Sequence, residues 1–377
     1  MSIARLNVHV FRAPTPAPVA TSFGVMRDRP AVFVRVEDSD GAFGWGEIFA
    51  NWPIAGAEHR ARLLIEDIAD LVLGQAGDDP QRLWRELTDR TETRALQCGE
   101  WGPFRQVLAG LDTALCDMAA RRAGMPLADW LSGGAPASVP VYASGLHVSR
   151  AVEAIEASRA QGIEAFKVKI GFDEERDMTD LKILIDGLGP RERLFADANQ
   201  SWTLEAALRF AAQAEGLPLG WLEEPIRADR PAQEWETLAK ACDIPLAAGE
   251  NITGFEGFGA VIEGRTLTFI QPDLAKWGGV SGCFAVACQT VEAGLTYCPH
   301  FLGGGIGLSA SAHVLAAAGG AGLLELDANT NPLRDAFFAG GPVCNGVFAI
   351  PDMPGLGIDV LPEEIEPFRT LELDISG

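Results

Sequence analysis

AFKVKI (165–170), RLFAD (193–197), GWLEE (220–224), PLAAGE (245–250), TFIQPD (268–273), LTYCPH (295–300) and LLELD (323–327) are short apolar runs that carry charged residues at or near their ends. From Asp197 the steps are 26 residues to Glu223, 27 to Glu250, 23 to Asp273, 27 to His300 and 25 to Glu325. A strand, a helix and two loops occupy roughly that length in a parallel β/α barrel. In such a barrel the C-terminal ends of all strands open onto one face. Polar residues placed there in successive units converge on one site.

Around this stretch the chain reads as strand, loop, helix from Val139 onward. The first strand is expected at VPVYASG (139–145), with helices near 149–161, 174–187, 203–215, 231–241, 254–263, 278–293 and 307–317. Strict alternation argues for a parallel sheet, and eight units argue for closure. The N-terminal part differs. ARLNVHVFRAP and RPAVFVRVEDSDGAFGWGE alternate apolar and polar residues, with Ser39-Asp40-Gly41 at a turn, which predicts an antiparallel sheet of about three strands. Helical periodicity follows over 57–75, 80–97 and 104–122. The tail from 340 is rich in Gly and Pro and ends in the strand-like TLELDI, expected to return to the N-terminal region.

Bulk properties narrow the function. The 377 residues can bury a substantial core, and 47% apolar with 22% charged residues is ordinary globular composition. A formal charge of −22 argues against nucleic acid and anionic membrane as partners. An anionic small molecule remains compatible, because local cations dominate a pocket. No run of 18 uninterrupted apolar residues predicts a membrane span. The N-terminus lacks the apolar core of a signal peptide. Seven scattered cysteines with no CxxC pair read as reduced thiols of a cytoplasmic protein, with no zinc site implied.

Three constellations carry chemistry. Asp197, Glu223 and Glu250 end three successive strands, and three converging carboxylates repel unless a cation lies between them. Hard oxygen donors suit Mg²⁺. Lys167 and Lys169 alternate on one strand, so both face the barrel interior. Mutual repulsion and a nearby metal would lower their pKa values and make a neutral amine base accessible. Asp273 and His300 end consecutive strands, where a carboxylate orients the imidazole and fixes its tautomer. His147, just past the first strand, is a further candidate for the pocket lining.

Together Lys167-x-Lys169, Asp197-x-Asn199, Glu223-Glu224-Pro225, Gly249-Glu250-Asn251, Asp273 with Lys276-Trp277-Gly278-Gly279, and His300 resemble the enolase superfamily, specifically its mandelate racemase-like subgroup. GLDTALCDMAARRAGMPLADWLSGG (110–134) looks like the helix leading into that family's barrel, while GWGE (44–47) and PGLGID (354–359) look like landmarks of its capping domain. The resemblance implies an α/β fold: a modified TIM barrel, (β/α)7β, with an α+β capping domain. Its expected limits are 1–125 for the cap, 126–340 for the barrel and 341–377 for the return to the cap. It implies Mg²⁺ held by Asp197, Glu223 rather than Glu224, and Glu250. It also implies a last-strand glutamate that hydrogen-bonds the substrate carboxylate. Glu325 matches this by register, with Asp327 and Asn329 as further polar groups nearby.

The implied reaction removes the α-proton of a carboxylate substrate, giving an enediolate that a divalent cation stabilises. Enolase-superfamily sites pair a Lys or His base with Mg²⁺. Lys169 is the expected base, Lys167 neutralises the carboxylate, and His300 acts from the opposite face, held by Asp273. Glu325 donates a hydrogen bond if burial keeps it protonated. With a β-hydroxyl on the substrate the outcome is dehydration to a 2-keto-3-deoxy acid, the favoured reading. Without a leaving group it is racemisation or epimerisation. A non-catalytic metal-dependent binding protein is the third reading. Substrate contacts are expected from Asn199, Lys276, Ser22, Asn51, Trp52, His147 and Asp327. Thr21, Arg27 and Arg29 suit a polyhydroxylated acid, while Phe23, Phe49 and Trp52 suit something less polar. A homo-oligomer acting on a small carboxylate is expected.

Overall fold

A computed structural model describes residues 2–21 and 24–377. The parallel sheet begins at β4 (Ser138–His147) and continues through β5 (Ala165–Lys169), β6 (Arg193–Asp197), β7 (Leu219–Glu223), β8 (Leu246–Ala248), β9 (Phe269–Ile270) and β10 (Thr296–Tyr297) to β11 (Leu324–Asp327). Each strand pairs in parallel with the next from β4 to β10, and β11 returns to pair with β4. That return curls the sheet into a barrel. At the seam between β10 and β11 the Leu323 amide lies 3.4 Å from the Cys298 Sγ, and a β-carbon at Gly322 would sit 1.9 Å from the Tyr297 carbonyl oxygen. Only glycine permits that approach.

Among the described residues, helices 151–159, 174–186, 204–213, 232–241, 254–264, 279–292 and 305–318 follow the first seven barrel strands. After β11 there is a single turn, Pro332–Asp335. The architecture is therefore (β/α)7β, and the helices fall within a few residues of the expected limits.

Strand alternation sorts side chains into two environments. On β5, Phe166 and Val168 belong to the large core between sheet and helices, while Ala165 faces the barrel axis. The same face carries Lys167 and Lys169. The base of the barrel is filled by Tyr142, Phe195, Trp221, Ala247, Cys298 and Leu323, with Phe269 against them. Phe195 and Trp221 stack with ring centroids 3.5 Å apart, and Tyr142 meets both edge-on. This plug makes the interior a packed floor on which the next layer of side chains stands.

The N-terminal sheet is antiparallel, built from β1 (Ile3–Thr21), β2 (Gly24–Asp38) and β3 (Phe43–Ile48). Its fourth strand is β13 (Arg369–Ser376), which pairs with β1, so the chain's tail completes the sheet that the N-terminus begins. A short β12 (Val347–Ala349) pairs antiparallel with β4. Helices Pro80–Cys98 and Trp101–Ala123 pack together, and the second lies between β3 and barrel helix Gly279–Glu292. Among the described residues no helix is long and apolar enough to cross a membrane.

Candidate active site

The layer above the aromatic floor is made of Lys167, Glu223, Gln271 and Glu325, all at most 2% exposed. Lys167 Nζ donates to Glu223 Oε1 (2.5 Å) and lies 2.8 Å from Glu325 Oε1. Glu223 Oε2 accepts from Trp221 Nε1 (3.0 Å) and Gln271 Nε2 (2.9 Å). Glu325 also accepts from Ser144 Oγ (2.5 Å) and the Phe301 amide (3.0 Å).

One step nearer the mouth stand Lys169, Asp197, Glu250, Asp273 and His300. Lys169 Nζ donates to Asp197 Oδ2 (2.5 Å). Asp197 Oδ1 accepts from the Asn199 amide (2.7 Å), and Asn199 Nδ2 reaches Asp197 Oδ2 (3.2 Å). Glu250 pairs with Lys276 and lies 3.4 Å from His300 Nε2. Its position depends on Gly249, where a β-carbon would fall 2.3 Å from the backbone of Gln271. His300 Nδ1 shares a 2.8 Å hydrogen bond with Asp273 Oδ2, leaving Nε2 for the chamber. Asp273 is itself fixed by the Ala275 amide (2.8 Å).

The electrostatics correct two expectations. The lysines are not depressed. Burial lowers the Lys169 ammonium, but Asp197 and the other carboxylates outweigh it and raise it. Lys167 is likewise raised well above the ordinary lysine value, mainly by Glu223 and Glu325 acting against burial. The repulsion between the two lysines is real but smaller than their attraction to the acids. Glu325 is not kept protonated by burial. Lys167, His300 and Lys169 outweigh that burial and hold it well below the carboxylate range, so it is an acceptor. Burial works against His300 too, yet Glu250, Glu325 and Asp273 raise it to about 9. These acids favour the charged imidazole.

Asp197 faces Lys169 and, at 3.7 Å, Lys167; Glu223 faces Lys167; and Glu250 faces Lys276. Drawn onto these ammoniums, they do not form a cage. Among the described residues no three acidic or imidazole groups stand in ligating geometry. Their chemistry nonetheless fits a hard divalent cation, being oxygen donors only. A fourth acid joins them. Glu224 has a positive φ of 39°, is 1% exposed and is held by Asn251 Nδ2 (2.9 Å). Burial, then the charges of Glu250 and Asp197, push it well above the carboxylate range. Alternation along β7 would turn Glu224 outward, and only its unusual φ reveals otherwise.

Lys169, Asn199, Glu250, Lys276, His300 and Asp327 line one small chamber of about 80 Å³. Asn51, Trp52, Phe49 and Arg29 close it from the capping side. Asn51 Nδ2 is tied to the Leu302 carbonyl (2.7 Å). Glu325 and Asp327 share a face of β11 at different heights: Glu325 meets Lys167, and Asp327 meets Arg29 Nη2 (2.5 Å) from β2. His147 falls outside this lining. Its Nδ1 faces Ser149 Oγ (3.0 Å) and its ring stacks on Phe172. Ser22 and Phe23 lie outside the described residues.

Two family models match the chain. One is described as mandelate racemase/muconate lactonizing enzyme, N-terminal domain, over residues 5–132; the other as enolase C-terminal domain-like, over 150–365. The chain belongs to the mandelate racemase/muconate lactonizing enzyme group of the enolase superfamily. A solved member of that group, a mandelate racemase/muconate lactonizing enzyme from Bordetella bronchiseptica RB50, is 49% identical, with a TM-score of 0.89 over 96% of this chain and 97% of that one. The D-galactarolactone cycloisomerase of Agrobacterium fabrum is 27% identical over 98% of this chain and 99% of its own length. The L-talarate/galactarate dehydratase of Salmonella typhimurium LT2, solved with Mg and L-lyxarohydroxamate, is 27% identical, with a TM-score of 0.86 over 100% of this chain and 94% of that one. The superfamily relatives thus include both acid-sugar dehydratases and cycloisomerases.

Proposed function

We propose that this protein is a Mg²⁺-dependent lyase that dehydrates an acid sugar to a 2-keto-3-deoxy acid. What supports the reading is that Lys169, on β5, and His300, which follows β10, line one chamber together with Glu250. Asp197, Glu223 and Glu250 would hold the cation. Oxygen-only donors favour Mg²⁺, and a dehydratase relative was solved with Mg. When bound, the cation supplies positive charge to the substrate carboxylate and neutralises the acids that otherwise keep Lys169 protonated.

Lys169 Nζ then takes the α-proton, and Lys167 contributes a fixed positive charge beneath the developing enediolate. His300, charged and oriented by Asp273, gives its Nε2 proton to the departing β-hydroxyl. Hydroxide is a poor leaving group, and such general-acid help contributes about 10²–10⁴-fold. Glu325 stays ionised and anchors Lys167 and the Phe301 amide. Arg29, Asn51, Asn199 and Asp327 would read substrate hydroxyls in the rest of the chamber.

A second reading, cycloisomerisation of a cyclic sugar acid, draws support from the Agrobacterium fabrum relative, which matches over nearly its full length. It uses the same first step but loses no water. Racemisation also uses both residues and forms no keto product. Incubating purified protein and Mg²⁺ with a sugar-acid library, followed by semicarbazide trapping, separates these. A 2-keto acid with loss of water supports dehydration. Products of unchanged mass only, whether or not semicarbazide traps them as keto acids, would overturn it.

A further inference from the structure

The catalytic chamber holds only about 80 Å³, room for roughly two or three waters. Beside it lies a cavity of about 870 Å³, within the range that accommodates whole ligands. Phe49, Trp52, Glu250 and Lys276 line both spaces, so the two share one wall. Lys276 Nζ sits 4.9 Å over the Phe49 ring in that wall. The outer cavity extends from there to the start of helix Trp101–Ala123.

Its lining has a definite chemical character. Trp101 is 49% exposed, and among the described residues no aromatic ring stacks on it. An exposed indole at the edge of a cavity is a platform for the apolar face of a ring. Around it stand neutral hydrogen-bonding groups whose orientation is set from behind. Arg60, 3% exposed, spends its Nε (2.9 Å) and Nη2 (2.7 Å) on Gln106 Oε1, and its Nη2 also holds the Trp52 carbonyl (3.0 Å). Gln200 Oε1 is taken by the Ala228 amide (2.8 Å). With both carbonyl oxygens occupied, the Gln106 and Gln200 NH₂ groups remain as donors for the cavity. Arg105 Nη1 is bound to Thr253 Oγ1 (2.9 Å), which ties the cap to the barrel along the cavity's side.

An indole face, side-chain amide donors and charged residues that pair with one another (Lys276 with Glu250, Arg105 with Glu92 at 3.8 Å) match a sugar ring better than an extended carboxylate or a lipid chain. We propose that this outer cavity is a second sugar subsite, and that the preferred substrate is a sugar acid bearing a further glycosyl ring. The inference rests on the acid-sugar reading above and narrows its substrate class. The acid end occupies the catalytic chamber. The attached ring passes the wall of Phe49, Trp52 and Lys276 and stacks on Trp101, with Gln106 and Gln200 donating to its hydroxyls.

The test compares gluconate and galactonate with lactobionate, maltobionate and melibionate, each with Mg²⁺. Calorimetry reads binding, and α-proton exchange in heavy water reads the reaction. Wild-type protein should favour at least one glycosylated acid over its simple counterpart by about tenfold or more. Trp101→Ala should reduce that ratio by about tenfold, a change of about 1.4 kcal/mol. Gln106→Leu should reduce it less. Trp101 is half exposed, so its replacement does not threaten the fold. If the simple acids bind as well as every glycosylated one, or the ratio is the same in Trp101→Ala, the subsite is refuted. If no acid of either kind exchanges its α-proton while the binding preference holds, the reaction is wrong and the subsite stands.

Discussion

The protein buries carboxylates in two regions and gives them different partners. At the barrel mouth, Asp197, Glu223 and Glu250 each face a lysine ammonium. At the junction of cap and barrel, the acids face backbone amides. Glu47 accepts from the Gly304 (2.5 Å) and Gly307 (2.8 Å) amides at the start of helix Gly305–Ala318. Asp112 accepts from the Ser281 amide (2.8 Å) at the start of helix Gly279–Glu292. Both acids come from the capping domain, and both are at most 3% exposed. Amide donors at a helix start hold an acid in place without a countercharge. Burial then dominates, raising Glu47 and Asp112 to about 7. At the mouth the outcome differs from acid to acid: against burial, His300 and Lys276 hold Glu250, and Lys167, His300 and Lys169 hold Glu325, well below the carboxylate range, while burial outweighs Lys167 and raises Glu223 to about 7. Backbone amides make a structural joint; side-chain ammoniums stand against the oxygens that a cation and a substrate would claim.

The largest effects should come from breaking the mouth. Glu250→Gln or Asp197→Asn should abolish turnover while the circular dichroism spectrum and oligomer size stay as in wild type. Chelation by EDTA should do the same reversibly, with Mg²⁺ restoring activity. Turnover that persists in EDTA would remove the metal from the proposal. Replacing Lys169 by Met or His300 by Asn should each cost on the order of 10²-fold or more in rate. The His300 variant should retain more α-proton exchange than keto-acid formation, because only the second needs its proton.

The junction should respond in stability instead. Glu47→Gln places an NH₂ against one of two amide donors, leaving a buried group unpaired, so a loss of about 1–3 kcal/mol in unfolding free energy is expected. Urea titration measures it, and no loss would show that the joint is not held by those bonds.

The smallest effect, and the sharpest for the comparison, is at Asp112. Its Oδ1 has no hydrogen-bond partner, while Oδ2 serves Ser281. Because its folded pKa is raised to about 7, its contribution to stability is full at acidic pH and is lost as pH rises through 7. Asp112→Asn keeps the acceptor and removes that titration. Its melting temperature should therefore fall less than wild type between pH 5 and 8. A parallel fall in both proteins would mean that Asp112 does not titrate in this range.

Much of this was legible in the sequence because repetition encodes it. The spacing from Asp197 to Glu325 follows the β/α repeat, so those residues arrive at the mouth by arithmetic. Lys167 and Lys169 are two apart on a strand, which alone places them on one face. Other features depend on contacts that no local pattern records. Arg29 and Asp327 meet across most of the chain, and nothing near either announces the partner. Glu47 and Asp112 are single acids in apolar surroundings, and their seats are helix starts far along the sequence. The raised lysine pKa values follow from how many acids surround each ammonium. Glu224 enters the cluster through one backbone angle. His147 stands two residues past Gly145, which lines the chamber, yet its ring faces Ser149 and Phe172.

The central claim is that the mouth's lysine and histidine perform proton transfer at an α-carbon. The most direct measurement is proton NMR in heavy water of sugar acids with Mg²⁺ and wild-type, Lys169→Met or His300→Asn protein. Wild type should consume the α-proton signal and yield a 2-keto-3-deoxy acid carrying deuterium at C3. Lys169→Met should leave the α-proton in place, and His300→Asn should exchange it with little product. Wild-type rates in both variants, or an untouched α-proton across the whole panel with wild type, would contradict the assignment.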